Sequence, residues 1–254
     1  MPGVERRVKR GWMNLLVKRI IQETHDTRTL ILVDEKSGSR EFDYIPGQYL
    51  TFRFDHISEK PVVRSYTMSS APVEGDFSAV TVKEVEDGFV SRYLCRDVKE
   101  GDVLRARGPI GKFCFDPGRD HKTLSMVAAG SGVTPFLSIM KEFAEKLGQE
   151  HAPHAMKLLV SFRSRQDIIC QSQLTQLKQT KGITVRISLS RETDTTGEYW
   201  HGRIDEEMLF RSFGNCQGQT FMSCGPDAVM DLTKEFVLNQ GVTEEHMKLE
   251  SFQS

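Results

Sequence analysis

Two domains, an antiparallel β-barrel followed by an α/β unit built on a parallel sheet, are the fold class this sequence predicts, and three observations predict it. The chain has 254 residues, long enough for two domains that each bury a core. Its hydrophobic rhythm changes once, at the turn-rich Asp116-Pro-Gly-Arg-Asp120. A strand, glycine turn and helix begin only at residue 124, so nearly half the chain precedes them and needs its own fold. The expected domains are 1–118 and 119–254.

The first half reads as strands. Short apolar runs rich in β-branched and aromatic residues occupy 15–21, 29–33, 49–54, 62–68, 79–85 and 103–106, with Gly, Pro, Asp and Ser between them. That punctuation belongs to an antiparallel barrel or sandwich. One helix is expected in this half, over 90–97, behind Asp87-Gly88. From Lys122 onward, apolar strands at 124–128, 156–161, 183–188, 220–223 and 246–249 alternate with longer helical patterns, which means a parallel sheet covered by helices. The helix over 135–147 recurs with Phe136, Met140, Phe143, Ala144 and Leu147 on one stripe; that over 227–239 uses Val229, Leu232, Phe236 and Val237, with Gly241 as its stop.

Composition narrows the function classes. A net charge of -1 and a hydrophobic share of 38% fit a globular protein and give no support for nucleic-acid binding. No apolar run is long enough to cross a bilayer, and the first 19 residues lack the apolar core and cleavage site of a signal peptide, so a cytoplasmic monomer without membrane insertion is expected. Cys95, Cys114, Cys170, Cys216 and Cys224 are odd in number and scattered, which argues against disulfides, zinc and iron–sulfur ligation. His151 and His154 are separated by Ala152-Pro153 and read as loop histidines, so no metal is expected. Arg6, Arg7, Lys9, Arg10, Lys18 and Arg19 against Glu5 make a basic arm, which either docks an acidic partner or is a solvated terminus.

The chemistry-bearing motif is Gly130-Ser-Gly-Val-Thr-Pro135 after the 124–128 strand. Glycines let the backbone turn tightly and approach a phosphate, and a helix N-terminus offers free N–H groups and a favourable dipole. Thr134 is the expected N-cap and Pro135 suits the first helical position. Gly-x-Gly also serves ordinary turns, so the surrounding motifs decide. They are Arg64-Ser-Tyr-Thr67 at a strand end, Gly88-Phe-Val-Ser91 opening the short helix, Gly108-Pro-Ile-Gly-Lys-Phe113, Ser190-Arg191, Cys224-Gly-Pro226 and Glu250-Ser-Phe252.

This ordered succession, spanning residues 12–252, resembles the ferredoxin-NADP reductase superfamily. The resemblance implies a flavin-binding barrel and a pyridine-nucleotide-binding α/β domain. It implies that Arg64 holds a flavin phosphate through its bidentate fork, that Ser65 and Tyr66 line the isoalloxazine, and that the Thr67 hydroxyl lies near the reactive flavin nitrogen. Val82 and Lys83 would add flavin contacts, and Gly88, Val90 and Ser91 would hold a pyrophosphate, which favours FAD over FMN. Gly130, Gly132, Thr134 and Pro135 would contact the nucleotide pyrophosphate. Cys224 and Gly225 would lie beside the nicotinamide, and Phe252 would cover the flavin face while Glu250 assists hydride or proton passage. A structural thiol would explain Cys224 without chemistry, and an amphipathic last strand would explain Glu250 and Phe252.

The function so implied is an FAD-dependent NAD(P)H reductase with catalytic Thr67, Cys224, Glu250 and Phe252. Relatives with this tail sometimes continue into a plant-type iron–sulfur domain, for which these cysteines do not suffice, so a separate carrier protein is expected: ferredoxin, flavodoxin or an oxygenase component. Ser190 and Arg191 resemble the pair that holds the 2′-phosphate of NADPH, and similar pairs occur in NADH users; the reading leans to NADPH over NADH. Arg163 and Arg165 either add charge there or cover the surface. The alternatives are a flavin reductase that releases its flavin and a non-catalytic redox-sensing module.

Overall fold

A computed structural model describes residues 7–252. The chain divides into two compact units that meet between Cys114 and Phe115.

The first unit holds β1 (Met13–Thr24), β2 (Thr27–Asp34), β3 (Tyr49–Phe54), β4 (Val62–Thr67), β5 (Ser78–Lys83) and β6 (Val103–Ile110), with helix α1 (Phe89–Arg96) between β5 and β6. The strands are antiparallel in the order β4-β3-β6-β1-β2-β5. A bridge from Met68 to Val80 joins the two edges, as a barrel requires. β1 is longer than its apolar run because register shifts at Val17/Arg19 and Gln22/Thr24 let it bend and keep pairing. Alternation puts Met13, Leu15 and Val17, Leu50, Phe52 and Phe54, and Leu104 and Ala106 into one core, which α1 joins through Val90 and Leu94. Each large side chain so buried stabilises the unit by about 1.5–3 kcal/mol. Gly47 is needed for a close approach: at φ 98°, a Cβ there would lie 2.0 Å from the Phe113 carbonyl oxygen.

The second unit holds β7 (Thr123–Ala129), α2 (Thr134–Phe143), β8 (Ala155–Phe162), α3 (Gln171–Lys178), β9 (Ile183–Leu189), β10 (Trp200–His201), α4 (Glu206–Phe213), β11 (Gln219–Gly225), α5 (Asp227–Asn239) and β12 (Met247–Ser251). All six strands are parallel, in the order β10-β9-β8-β7-β11-β12. The chain runs outward from β7 through β8 to β10 and then crosses back to β11. The strand order therefore reverses between β7 and β11, where open parallel sheets bind ligands at their carboxyl ends.

Two expectations needed revision. Thr134 is not the N-cap: a 3₁₀ turn over Gly130–Val133 leads straight into α2, Val133 takes the cap position in helical geometry, and the Thr134 hydroxyl donates back to the Ser131 carbonyl at 3.0 Å. α2 ends at Phe143 instead of residue 147, because the chain tightens to a Lys146-to-Phe143 backbone bond and then turns at Gly148, φ 80°. The 116–120 turn is anchored by buried Asp120, which accepts the Asp116 N–H at 2.7 Å and pairs with Lys248. Among the described residues, no helix is long and apolar enough to cross a membrane.

Candidate functional site

In the first unit, β4 carries Arg64, Ser65, Tyr66 and Thr67 opposite Phe52, Thr51, Leu50 and Tyr49 of β3. Register partners share a face, so Arg64 and Tyr66 stand on the side of the core residues Phe52 and Leu50. Arg64 is exposed, and its only bond among the described residues is from Nη1 to the neighbouring Val63 carbonyl at 2.9 Å, which leaves the rest of the fork for a ligand. Tyr66 packs against the core with its ring 6.0 Å from that of Phe52, and burial pushes its hydroxyl pKa above the ordinary value. Thr67 is buried at the strand end, and the Ser65 hydroxyl lies 3.0 Å from that of Thr51.

Val82 points into the core, while Lys83 forms an ion pair with Asp26. The loop to α1 leaves no room at Gly88, where a Cβ would lie 2.2 Å from Val85 Cγ2 and 2.4 Å from Ser91 Oγ. Ser91 ties the loop, donating to the Gly88 carbonyl at 3.0 Å and accepting from the Val85 N–H at 3.2 Å. No side chain caps α1, so its first N–H groups remain available for an anion. An exposed guanidinium, a glycine with no room for a side chain and an uncapped helix start fit a flavin phosphate.

In the second unit, the turn after β7 and the end of β11 interlock. A Cβ on Gly132 would lie 2.1 Å from the Cys224 carbonyl oxygen, and one on Gly225, at φ 149°, would lie 3.2 Å from the Ala129 nitrogen. Gly130 takes φ 56° in open space. Cys224 is fully buried and stands beside Glu250 in the β11–β12 register. Burial pushes its thiol pKa up, and the nearby Glu250 pushes it further. Glu250 is itself raised to about 7 by burial, and its Oε2 is buried without a hydrogen-bond partner among the described residues. Phe252 follows, 39% exposed. The Thr134 N–H is taken by the Ser131 carbonyl and Pro135 has none, so N–H groups that fit a pyrophosphate belong to the start of the glycine turn ahead of α2, which has no side-chain cap.

Ser190 and Arg191 leave β9 with their N–H groups bonded to the Phe162 and Arg163 carbonyls, at 2.9 and 2.8 Å. Arg163 and Arg191 are thus adjacent; both are exposed and neither has an acidic partner among the described residues. Arg165 differs: it pairs with Glu192 at 3.2 Å and with Asp194. Burial alone would raise the Asp194 carboxyl, but N–H bonds from Tyr199 and Thr196 hold it well below the usual range. Of the basic arm, Arg7 is held by Asp43 at 2.9 Å and Lys9 by Asp34 at 2.8 Å, while Arg6 lies outside the described residues.

Sequence reasoning named neither α3 nor α4. In α3 only Leu174 and Leu177 are buried, too few for a periodic signal. α4 had a usable one: Asp205 caps it by accepting the Met208 N–H at 2.8 Å, followed by Glu206, Glu207 and the apolar Met208, Leu209 and Phe213.

An oxidoreductase FAD-binding domain model matches residues 11–115 and an oxidoreductase NAD-binding domain model matches 126–235. The chain is 31% identical over 230 residues to NADH oxidoreductase HCR of Escherichia coli (strain K12), across 89% of this chain and 64% of that protein. It is 30% identical over 246 residues to the glycine betaine monooxygenase reductase subunit of Chromohalobacter salexigens, across 95% of this chain and again 64% of the relative. The chain therefore spans somewhat less than two thirds of the length of either. In fold, the flavohem-like FAD/NAD binding domain of nitric oxide dioxygenase from Vibrio cholerae superposes with a TM-score of 0.81 at 23% identity, over 94% of this chain and 98% of that one. A barrel with an exposed Arg64 and a glycine-cradled helix start, a parallel sheet with interlocked glycines at its switch point, and matching models over both units show that the chain belongs to the ferredoxin-NADP reductase superfamily.

Proposed function

We propose that this protein is an FAD-dependent NAD(P)H reductase that delivers electrons to a separate carrier protein. The observation that carries the reading is the meeting of Gly132 with the Cys224–Gly225 backbone, which sets Cys224 and the half-buried Glu250 beside the glycine turn that leads into α2. Bound FAD supplies the chemistry, accepting two electrons from a nicotinamide and releasing them one at a time. The chain's residues bind and orient. Arg64 neutralises a phosphate, Tyr66 offers a flat ring, Ser65 and Thr67 offer hydroxyls, and the loop of Gly88, Val90 and Ser91 presents N–H groups; Val82 and Lys83 border it. Glu250, with a pKa near neutrality, holds or releases a proton at its buried Oε2, a poise that general acid–base roles need and that structural carboxylates seldom have. Phe252 keeps the covering role that the resemblance implied.

For the donor, unpaired Arg163 and Arg191 with Ser190 support NADPH, since two exposed guanidiniums suit a 2′-phosphate and Arg165 is already neutralised. The Escherichia coli relative, named for NADH, supplies the competing expectation. The reductase subunit among the relatives supports an oxygenase component as acceptor, beside ferredoxin and flavodoxin. Anaerobic addition of NADPH or NADH to the yellow protein is expected to bleach the flavin band; a colourless or unbleached protein defeats the reading. Arg191→Gln is expected to raise the KM for NADPH about tenfold and leave that for NADH unchanged, the size of one charge-assisted bond; equal effects on both overturn the NADPH assignment.

A further inference from the structure

Two segments of the parallel-sheet unit run side by side beyond the ends of β8 and β9. The Ser190 and Arg191 N–H groups bond the Phe162 and Arg163 carbonyls, and the Arg165 N–H bonds Glu192 Oε2 at 2.9 Å, so the second segment is tied to the first at three points. Their charges nearly cancel: Arg163, Arg165 and Arg191 stand against Asp167, Glu192, Asp194 and Glu198. The pairing, however, is uneven. Arg165 takes two of these acids, Glu192 through Nε at 3.2 Å and Asp194 through Nη2, while Arg163 and Arg191 have no acidic partner among the described residues. The same guanidinium reaches Thr196 Oγ1 at 3.5 Å and stands 5.1 Å from the ring centre of Tyr199. Asp194 in turn accepts the Thr196 and Tyr199 N–H groups at 2.9 and 2.7 Å, and its side chain is closed off from solvent. Arg165 therefore touches four residues of the loop that follows Arg191.

We propose that Arg165 is a positioning residue that sets the nucleotide preference: by neutralising Glu192 and Asp194 and holding their loop, it leaves Arg163 and Arg191 unopposed for the 2′-phosphate of NADPH. The proposal rests on the NADPH reading. A carboxylate beside an arginine that must hold a phosphate competes for the same fork and repels the phosphate charge. Glu192 directly follows Arg191 in the chain, so it is the first such competitor. Asp194 cannot shed its charge by taking up a proton, because the N–H bonds it accepts hold its pKa well below the usual range. Its charge has to be met by a cation, and Arg165 is the one that meets it. Lysine in its place would bring the charge without the planar fork that spans Glu192, Asp194 and Thr196 together.

The test titrates the FAD-loaded full chain with 2′,5′-ADP and 5′-AMP, which differ only in the 2′-phosphate. Wild type is expected to bind 2′,5′-ADP more tightly. Arg165→Gln is expected to weaken 2′,5′-ADP about tenfold and 5′-AMP less than about twofold, the size of one charge-assisted contact. In turnover, the KM for NADPH is expected to rise by the same factor, with kcat and the KM for NADH unchanged. Arg165→Lys is expected to fall between the two, and Arg165→Gln/Glu192→Gln to recover part of the lost preference, because one opposing charge is gone. An Arg165→Gln variant that keeps the full preference overturns the proposal. So does one that loses both probes equally, which is what a merely structural role gives, and so does a double variant that recovers nothing. Wild type that binds the two probes equally overturns the NADPH reading itself and this role with it. Failure of the flavin to bleach with either nucleotide defeats the reductase reading instead, and the two probes, which need no hydride transfer, still decide the role of Arg165.

Discussion

Each unit builds its candidate site around a glycine, but different atoms enforce the two. Gly88 is crowded by a valine methyl and a serine hydroxyl, parts that can rotate away. Gly132 is crowded by the Cys224 carbonyl and the Gly225 nitrogen, which belong to β11 and are held in the sheet. The charged groups follow the same division. Arg64 of the barrel lies in water, whereas Glu250 of the parallel-sheet unit is largely withdrawn from water and has lost its ordinary acidity. The barrel presents a surface to its ligand; the sheet unit has built its site from buried backbone and a buried acid.

Substitutions can break this comparison. Gly132→Ala is expected to cost about 3 kcal/mol or more, at the upper end of overpacking penalties, because β11 must move; Gly130→Ala, with open space around it, should cost only the left-handed backbone penalty of about 1–2 kcal/mol. Urea unfolding of the two variants checks the difference, and equal losses would show that the Cys224 contact yields. Next, Arg64→Ala is expected to weaken FAD retention about a hundredfold, the worth of a bidentate phosphate contact, while leaving the apoprotein's melting temperature nearly unchanged. Equilibrium dialysis of flavin reads the first and calorimetry the second; full retention of FAD would misplace the phosphate.

Glu250 sharpens the contrast through pH. Its folded pKa of about 7 lies above the ordinary 4.5, so between these values the folded chain keeps a proton that the unfolded chain has released. Stability therefore falls as pH rises through that window. Glu250→Gln removes this contribution, and its stability relative to wild type is expected to climb from pH 5 to pH 8 in denaturant titrations; parallel pH profiles would mean that the carboxyl is solvated. The smallest effect belongs to Ser91→Ala, which deletes two bonds within the Gly88 loop and is expected to cost about 1 kcal/mol. A larger loss in FAD affinity than in stability would give the hydroxyl a ligand as well.

The residues explain which parts were legible beforehand. β3 and α5 occupy the ranges expected, because an alternating run and a helical stripe with a glycine stop are local signals. The Gly130 turn was legible for the same reason, and so were the motifs around Arg64, Gly88 and Cys224. Thr134 was misread because Ser, Thr and Pro at a helix start fit either a side-chain cap or a 3₁₀ lead-in, and the choice depends on how β7 meets β11. In the basic arm, counting charges located Arg7 and Lys9 but not the distant Asp43 and Asp34 that neutralise them.

By itself, then, the sequence determined the two-domain order and the antiparallel and parallel characters of the two sheets, since periodicity and turn chemistry are carried by neighbours along the chain. Only the tertiary structure decided which charges remain available. Among the described residues, it paired Arg165 and left Arg163 and Arg191 without an acidic partner, gathered three arginines around Trp12, and placed Glu250 beside Cys224 with one oxygen unpartnered. Coulombic pairing and desolvation depend on distance through space, and that distance is set by strand register and packing between residues far apart in the chain.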